Sequence, residues 1–337
     1  MRATVKDVAA RAGVSPKTVS NVINGVVPVN ADTRARVEEA LVALDYVPNL
    51  SARGLRNGRT GAIALAFPDL ATPYSAEMSH WFVEVAHERG WSVQLEQTGL
   101  RPEREGELLL RGKEHLVDGL VLNPTSIDES AIVGAESLPP VVVIGEVEQS
   151  LVDQVRVDSV AAARDMTDHL IGLGHRRIAV LGSSGGDFDT ATARARTQGW
   201  VEAMTAAGLP VGEDLRWSCP SWSPGAAAAA TADALGRHGA PDALFCFTDS
   251  LAIGAVHALW SAGLSVPGDV SVAGFDDVAD GRFMTPPLTT VSNDKRLFAE
   301  RTLELLAARI LDRDRPPELV LIPSTVVARA STAPRRG

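Results

Sequence analysis

Two cysteines, Cys219 and Cys246, are all that the 337 residues hold. That is too few for a disulfide scaffold or a cysteine metal site. No apolar run approaches the roughly 18 residues of a membrane helix, and Ala226–Ala230 is only alanine-rich. The N-terminus meets Arg2 and Lys6 before any hydrophobic stretch, which does not read as an export signal, so a reducing cytoplasm is the expected compartment. Catalytic signatures are missing too. There is no Gly-x-Ser-x-Gly elbow, and no cysteine or histidine cluster has metal spacing. The glycine-rich stretch Gly182–Gly186 is not followed by Gly-Lys-Ser/Thr, so it does not read as a phosphate loop. Asp276 and Asp277 are adjacent, and neighbours on an extended chain point to opposite faces, so they do not form a paired acid and base. His175 has no partners in the pattern and reads as structural. The chain is expected to be neither an enzyme nor the holder of a metal or cofactor.

What is present is a charge asymmetry. The net charge is −10, yet residues 1–60 carry nine Lys and Arg against five Asp and Glu. A head of +4 on a body of −14 suggests that only the head meets a polyanion.

The head reads as three short helices. Val5, Val8, Ala9 and Ala12 recur at helical spacing, with Thr4 as N-cap, Asp7 in the capping-box position and Gly13 as terminator. Ser15 and Pro16 restart a helix at once, serine as cap and proline at the first helical position. The second helix, Pro16 to about Asn24, has two faces. Val19, Val22 and Ile23 face inward, while Lys17, Ser20, Asn21 and Asn24 present donors and acceptors suited to base edges and phosphates. Asn30 caps a third helix whose Val37, Ala40, Leu41 and Leu44 close a small core. Two helices joined by a glycine turn, the second with a polar stripe, make a helix-turn-helix.

From Gly61 the rhythm becomes βαβα. The spacing predicts strands over Ala62–Phe67, Trp91–Glu96, Asp118–Leu122 and Val141–Ile144, with helices over Tyr74–Arg89 and Arg104–His115 between them. Helices Val160–Leu173, Thr192–Ala207, Ala226–Leu235 and Leu251–Ala262 then alternate with strands Arg177–Leu181, Ala243–Phe247 and Val270–Phe275. Such alternation implies parallel sheets covered on both faces, and about 270 residues of it implies two lobes. Ligands in such folds sit at the carboxyl ends of strands, here a cleft between lobes. Asp276 follows a strand and Arg196 lies early in a helix. A carboxylate and a guanidinium converging there can grip vicinal hydroxyls.

The run Val5-Lys6-Asp7-Val8-Ala9-Ala10-Arg11-Ala12-Gly13-Val14-Ser15-Pro16-Lys17-Thr18-Val19-Ser20-Asn21-Val22-Ile23-Asn24-Gly25 closely resembles the head-piece of the lactose-repressor (LacI/GalR) family. So do Tyr46-Val47-Pro48-Asn49 and Ala52-Arg53-Gly54-Leu55. The body resembles the family at Leu173–Ala179, Arg196–Trp200, Thr248–Gly254, Val272–Asp277 and Pro286–Val291. The resemblance implies a small all-α helix-turn-helix head (1–48), a hinge helix or linker (49–60) and an α/β two-lobed, periplasmic-binding-protein-like effector domain (61–332). Its lobes are expected as 61–158 with 290–318, and 159–289 with 319–332.

By this resemblance Thr4, Ser15, Pro16, Lys17, Thr18, Ser20, Asn21 and Asn24 of the head meet operator DNA. Asn49, Ala52 and Leu55 of the hinge do so too, Leu55 wedging into the minor groove. An eight-residue hinge containing Gly54 has marginal helix stability and is expected to fold on DNA. Arg196 and Asp276 take the effector-anchoring positions, Trp222 a place where an aromatic lies against a sugar face, and Tyr74, Thr248 and Asn293 are further candidates. Gly145 stands where some sugar-binding members carry aspartate, so the sugar is left open. No tetramerising helix follows Ala333–Gly337, and a homodimer on a pseudo-palindromic operator is expected. The resulting expectation is a transcriptional regulator, a repressor, under a carbohydrate-like effector, with no membrane partner. The alternatives are a purine- or nucleoside-responsive regulator of the same fold, for which aromatics are few, and a stand-alone solute-binding protein.

Overall fold

The structure is a computed structural model that describes residues 3–24, 27–46, 59–126, 128, 130–185 and 189–335. The chain divides into two compact units, residues 1–60 and 61–337.

In the first unit the capping chemistry fixes the helix starts. Thr4 and Asp7 close a capping box on α1 (Val5–Ala12), and Gly13 ends it at φ 68°. Such a left-handed angle is free of strain only for glycine. Ser15 accepts from the Thr18 amide at 3.1 Å and so starts α2 (Pro16–Asn24). Asn30 accepts from the Asp32 amide and starts α3 (Ala31–Ala43). Val8, Ala9, Ala12, Val19, Val22, Val37 and Ala40 form the core of the three helices.

In the second unit, strands β1 (Ala62–Phe67), β3 (Gly119–Leu122), β4 (Val141–Ile144), β6 (Ile178–Leu181), β8 (Ala243–Cys246) and β9 (Ser271–Phe275) are buried along their whole length. Helices cover both faces of such strands, which is why they read as continuous apolar runs. With β2 (Ser92–Gln97), β5 (Asp153–Val157), β7 (Arg216–Trp217), β10 (Thr289–Asn293), β11 (Leu319–Ile322) and β12 (Ser324–Val327) they make two six-stranded sheets. The first runs β11-β5-β4-β3-β1-β2 and the second β12-β10-β9-β8-β6-β7. Every pairing is parallel except β10 with β12.

The remaining helices are α4 (Pro73–Glu88) and α5 (Pro102–Lys113) around the first sheet, and α6 (Ser159–Gly172), α7 (Ala191–Ala206), α8 (Pro224–His238), α9 (Asp249–Ser261) and the short α10 (Ala279–Phe283) around the second. Helix α11 (Lys295–Leu311) returns to pack on α4 and on β3 to β5. Helices α6 and α7 lie so close that a Cβ on Gly199 would run into the Val160 carbonyl.

The lobes differ from the sequence expectation at their return segments. Residues 290–293 were placed in the first lobe but belong to β10 of the second sheet. Residues 319–322 were placed in the second lobe but form β11, paired with β5 of the first. The chain therefore crosses three times: after β5, after β10, and between β11 and β12. Edge strand β11 leaves Leu319 and Leu321 half exposed, so it lacks the buried apolar signature of the central strands.

One carboxylate fastens the returning segment to the first lobe. Asp153, fully buried, takes the Arg309 guanidinium at 2.9 and 3.1 Å, the Arg315 guanidinium at 3.5 Å and the Glu318 amide at 2.9 Å. Asp153→Ala leaves Arg309, itself nearly buried, without its partner, and should lower stability by roughly 3–5 kcal/mol. Denaturant unfolding at neutral pH checks this; an unchanged midpoint would show that the return segment is held by apolar packing alone.

Candidate functional site

The head presents one exposed polar face. Lys17 and Pro16 on α2 are exposed, and Ser20 and Asn21 are partly exposed on the same helix. The hydroxyls of Thr4, Ser15 and Thr18 already serve the caps, Thr4 with Asp7 and Ser15 with Thr18 at 2.9 Å. They hold the helix N-termini in place, and Lys17 and Asn21 are freer to reach outward. Asn24 closes α2. The expected hinge contacts Asn49, Ala52 and Leu55 lie outside the described residues.

In the second unit the structure gathers Arg196, Asp276, Trp222 and Tyr74. Arg196 sits on the second turn of α7, which Thr190 caps, and is almost fully buried. Its Nη1 donates to the Phe247 carbonyl, and its Nε donates to Ser159 Oγ at 3.4 Å. Its guanidinium carbon lies 3.4 Å from the Phe275 ring centroid and 6.0 Å from that of Trp222. Nη2 stands 3.9 Å from Asp276 Oδ1 and 3.7 Å from Glu146 Oε1. Tyr74, at the start of α4, feels the same charges. Burial raises its phenol pKa, and the carboxylates of Asp276 and Glu146 raise it further against the opposing pull of Arg196.

Asp276 follows β9 and sits at φ 112°, a left-handed value that disfavours a side chain. Its carboxyl is pushed well above the usual range, by burial first and against the pull of Arg196. Asp277 turns the other way, to Arg329 at 2.6 Å, Arg282 at 3.1 Å and Ser292 at 2.9 Å. Adjacent aspartates thus serve different structures, one the cluster and one the return segment.

Glu146 was not foreseen from sequence. It follows β4 of the first lobe and reaches across to the second, where Ser159 Oγ donates to Oε1 at 2.8 Å and Thr192 Oγ1 to Oε2 at 2.7 Å. Gly145, just before it, is held to glycine by its backbone. Its φ of 95° suits glycine, and a Cβ there would lie 3.1 Å from Asn123 Oδ1. A glutamate next to a glycine at a strand's carboxyl end was the available signal.

The two remaining candidates have other described neighbours. The Thr248 hydroxyl caps α9 by accepting from the Leu251 amide at 3.2 Å. Asn293 lines a groove of about 590 Å³ with Glu77, His80, Trp81, Arg282 and Lys295. Among the described residues no group of three or more His, Cys, Asp or Glu could hold a metal ion, and no helix is long and apolar enough to cross a membrane.

Residues 4–49 match bacterial regulatory proteins of the lacI family, and residues 167–332 match the periplasmic binding protein-like domain. The chain is 33% identical over 333 residues to the HTH-type transcriptional repressor PurR of Histophilus somni, covering 98% of both proteins. It is similar to the lac repressor dimer bound to operator and the anti-inducer ONPF, with a TM-score of 0.87 at 28% identity over 99% of this chain and 100% of that one. It is also similar to a complex of the transcriptional regulator CelR with cellobiose, with a TM-score of 0.69 at 31% identity over 98% and 100%.

Replacing Arg196 by methionine keeps its length and removes its charge, leaving two buried carboxylates without a cation. A loss of roughly 3–5 kcal/mol is expected at pH 7.5. Asp276 has a raised folded-state pKa, so the folded chain binds more protons than the unfolded one as pH climbs past the unfolded value, and stability falls with rising pH. Without Arg196 this fall steepens, so the deficit of Arg196→Met should be smaller at pH 5 than at pH 7.5. Urea melts at both values read it; an equal deficit would mean that lost packing on Phe275, not charge, sets the effect.

Proposed function

The chain belongs to the lacI family of bacterial regulatory proteins, DNA-binding transcriptional repressors, and from that premise we propose a homodimeric operator-binding repressor controlled by a polyhydroxylated effector of the carbohydrate class. In this reading α2 enters the major groove, Lys17 donating to guanine and Asn21 pairing with adenine. The effector lies on Arg196 and Asp276.

One observation carries the effector reading. The carboxylate of Asp276, 7% exposed, accepts no hydrogen bond within the described residues, and Nη2 of Arg196 stands 3.9 Å away, too far to donate to it. An acceptor and a donor in a nearly buried place that do not reach each other keep hydrogen-bonding capacity for a ligand. Vicinal hydroxyls satisfy both, donating to the carboxylate and accepting from the guanidinium. The cellobiose complex of the similar regulator agrees with this class of ligand. Trp222, half-buried beside Arg196, offers a face to a sugar ring. The effector works by linkage: whatever it changes between the lobes must alter DNA affinity by the same factor that DNA alters effector affinity.

Two experiments test the halves of this reading. Asp276→Asn should abolish stabilisation by a responsive sugar in a thermal-shift screen of sugars and nucleobases, while sparing operator binding. A response confined to nucleobases would replace the carbohydrate reading with the purine one. Lys17→Ala should cost about 1–3 kcal/mol at one base position per half-site and relax preference there. Equal weakening on every DNA sequence would reduce Lys17 to a phosphate contact.

A further inference from the structure

The charges of the buried cluster do not cancel. Glu146 and Asp276 bring two carboxylates, their side chains 11% and 7% exposed, and among the described residues Arg196 is the cation within 4 Å of either. The next cation, Lys295, is spent elsewhere: its ammonium lies 2.9 Å from Glu77 Oε2 and donates to the Asp277 carbonyl at 2.9 Å. Behind the cluster stands another buried acid, Asp249, held by the Thr290 hydroxyl at 2.6 Å and the Val278 amide at 2.9 Å. The local excess is therefore negative.

Hydrogen bonds are unevenly shared as well. Glu146 accepts from two hydroxyls, Ser159 and Thr192, whereas among the described residues Asp276 accepts from none and has the Arg196 guanidinium 3.9 Å away. A buried carboxylate whose one described partner is an ion pair at 3.9 Å keeps acceptor capacity that a ligand's donors can fill. Aromatic faces border the same spot. Phe275 already carries the Arg196 guanidinium at 3.4 Å, while Trp222 stands farther off at 6.0 Å. An electron-rich face is a favourable neighbour for a positive charge.

We propose that the effector is an amino sugar, a polyol whose protonated amine sits on Asp276 and Glu146 while its hydroxyls engage Arg196. This rests on the carbohydrate reading of the same site and narrows it. A neutral sugar supplies hydroxyl donors but leaves the excess charge in place. An ammonium beside hydroxyls supplies donors and cancels it. Burial raises the Asp276 carboxyl by disfavouring its charged form, and an ammonium beside it would favour that form again.

The test uses the full chain and matched ligands. Glucosamine, galactosamine and mannosamine are each compared with the parent hexose and the N-acetyl derivative, whose nitrogen is uncharged, by thermal shift and calorimetry. At least one hexosamine is expected to bind tenfold or more tightly than both counterparts. Glu146→Gln keeps the side-chain volume and removes the charge, and should cut that preference below threefold while operator binding is retained. Parent or N-acetyl sugars binding as well as the amines, with Asp276→Asn abolishing it, would overturn the amine and leave the carbohydrate reading standing. Nucleobases binding where no sugar of the panel does would overturn both. A full amine preference surviving in a folded, operator-binding Glu146→Gln protein would remove Glu146 from the site.

Discussion

A guanidinium buried between two carboxylates is the constraint on which the body depends. Arg196 comes from a helix of the second lobe, Asp276 from the end of that lobe's β9, and Glu146 from the end of β4 in the first lobe. Charges taken this far from water are tolerable only when paired and hydrogen-bonded. Each lobe thus holds half of something the other lobe must complete. Parallel sheets deliver their loops to the carboxyl ends of the strands, and two such sheets bring those ends to a common line. Any ligand that competes for Arg196 or satisfies Asp276 changes the free energy of holding the lobes as they are. That is the physical content of coupling between effector and operator, and it needs only the 1–3 kcal/mol typical of such linkage.

How much was legible in the sequence follows from how local each cause is. The helix starts of the head are set by residues two or three apart, Thr4 with Asp7, Ser15 with Thr18, Asn30 with Asp32, and could be read directly. Central strands such as Ala62–Phe67 are buried on both faces, and their unbroken apolar run announces them. That Arg196 and Asp276 come near each other was expected from an acid after a strand and a cation early in a helix, and the structure places them 3.9 Å apart.

What was illegible depends on contacts between distant residues. The third crossover rests on Asp153 with Arg309 and Arg315, more than 150 residues apart in sequence. Nothing near 319–322 says that this edge strand pairs with β5 rather than with its neighbour in sequence, β12. Glu146 escaped notice because its partners, Ser159, Thr192 and Arg196, are 13 to 50 residues away in sequence. Asn293 is a case of another kind: its type suits a sugar hydroxyl, it ends β10 and lines the groove beside Trp81 and Arg282, and its side-chain oxygen is buried without a hydrogen-bond partner among the described residues.

The two units use electrostatics under opposite conditions, and this divides their labour. The polar face of α2 is exposed to solvent, so its attraction to a polyanion is screened by salt and scales with the phosphates it neutralises. The hydroxyls of Thr4 and Ser15 are engaged as caps and that of Thr18 with Ser15, which is why the proposed selectivity falls to Lys17 and Asn21. The Arg196 cluster lies in a low-dielectric interior, where screening is weak and one unbalanced charge weighs more. A change there is felt at nearly full strength at any ionic strength, while the −14 of the body keeps that unit from competing for phosphate. The exposed face of the head and the buried ion cluster of the body therefore answer to different conditions, the first to salt and the second to what neutralises or satisfies its charges.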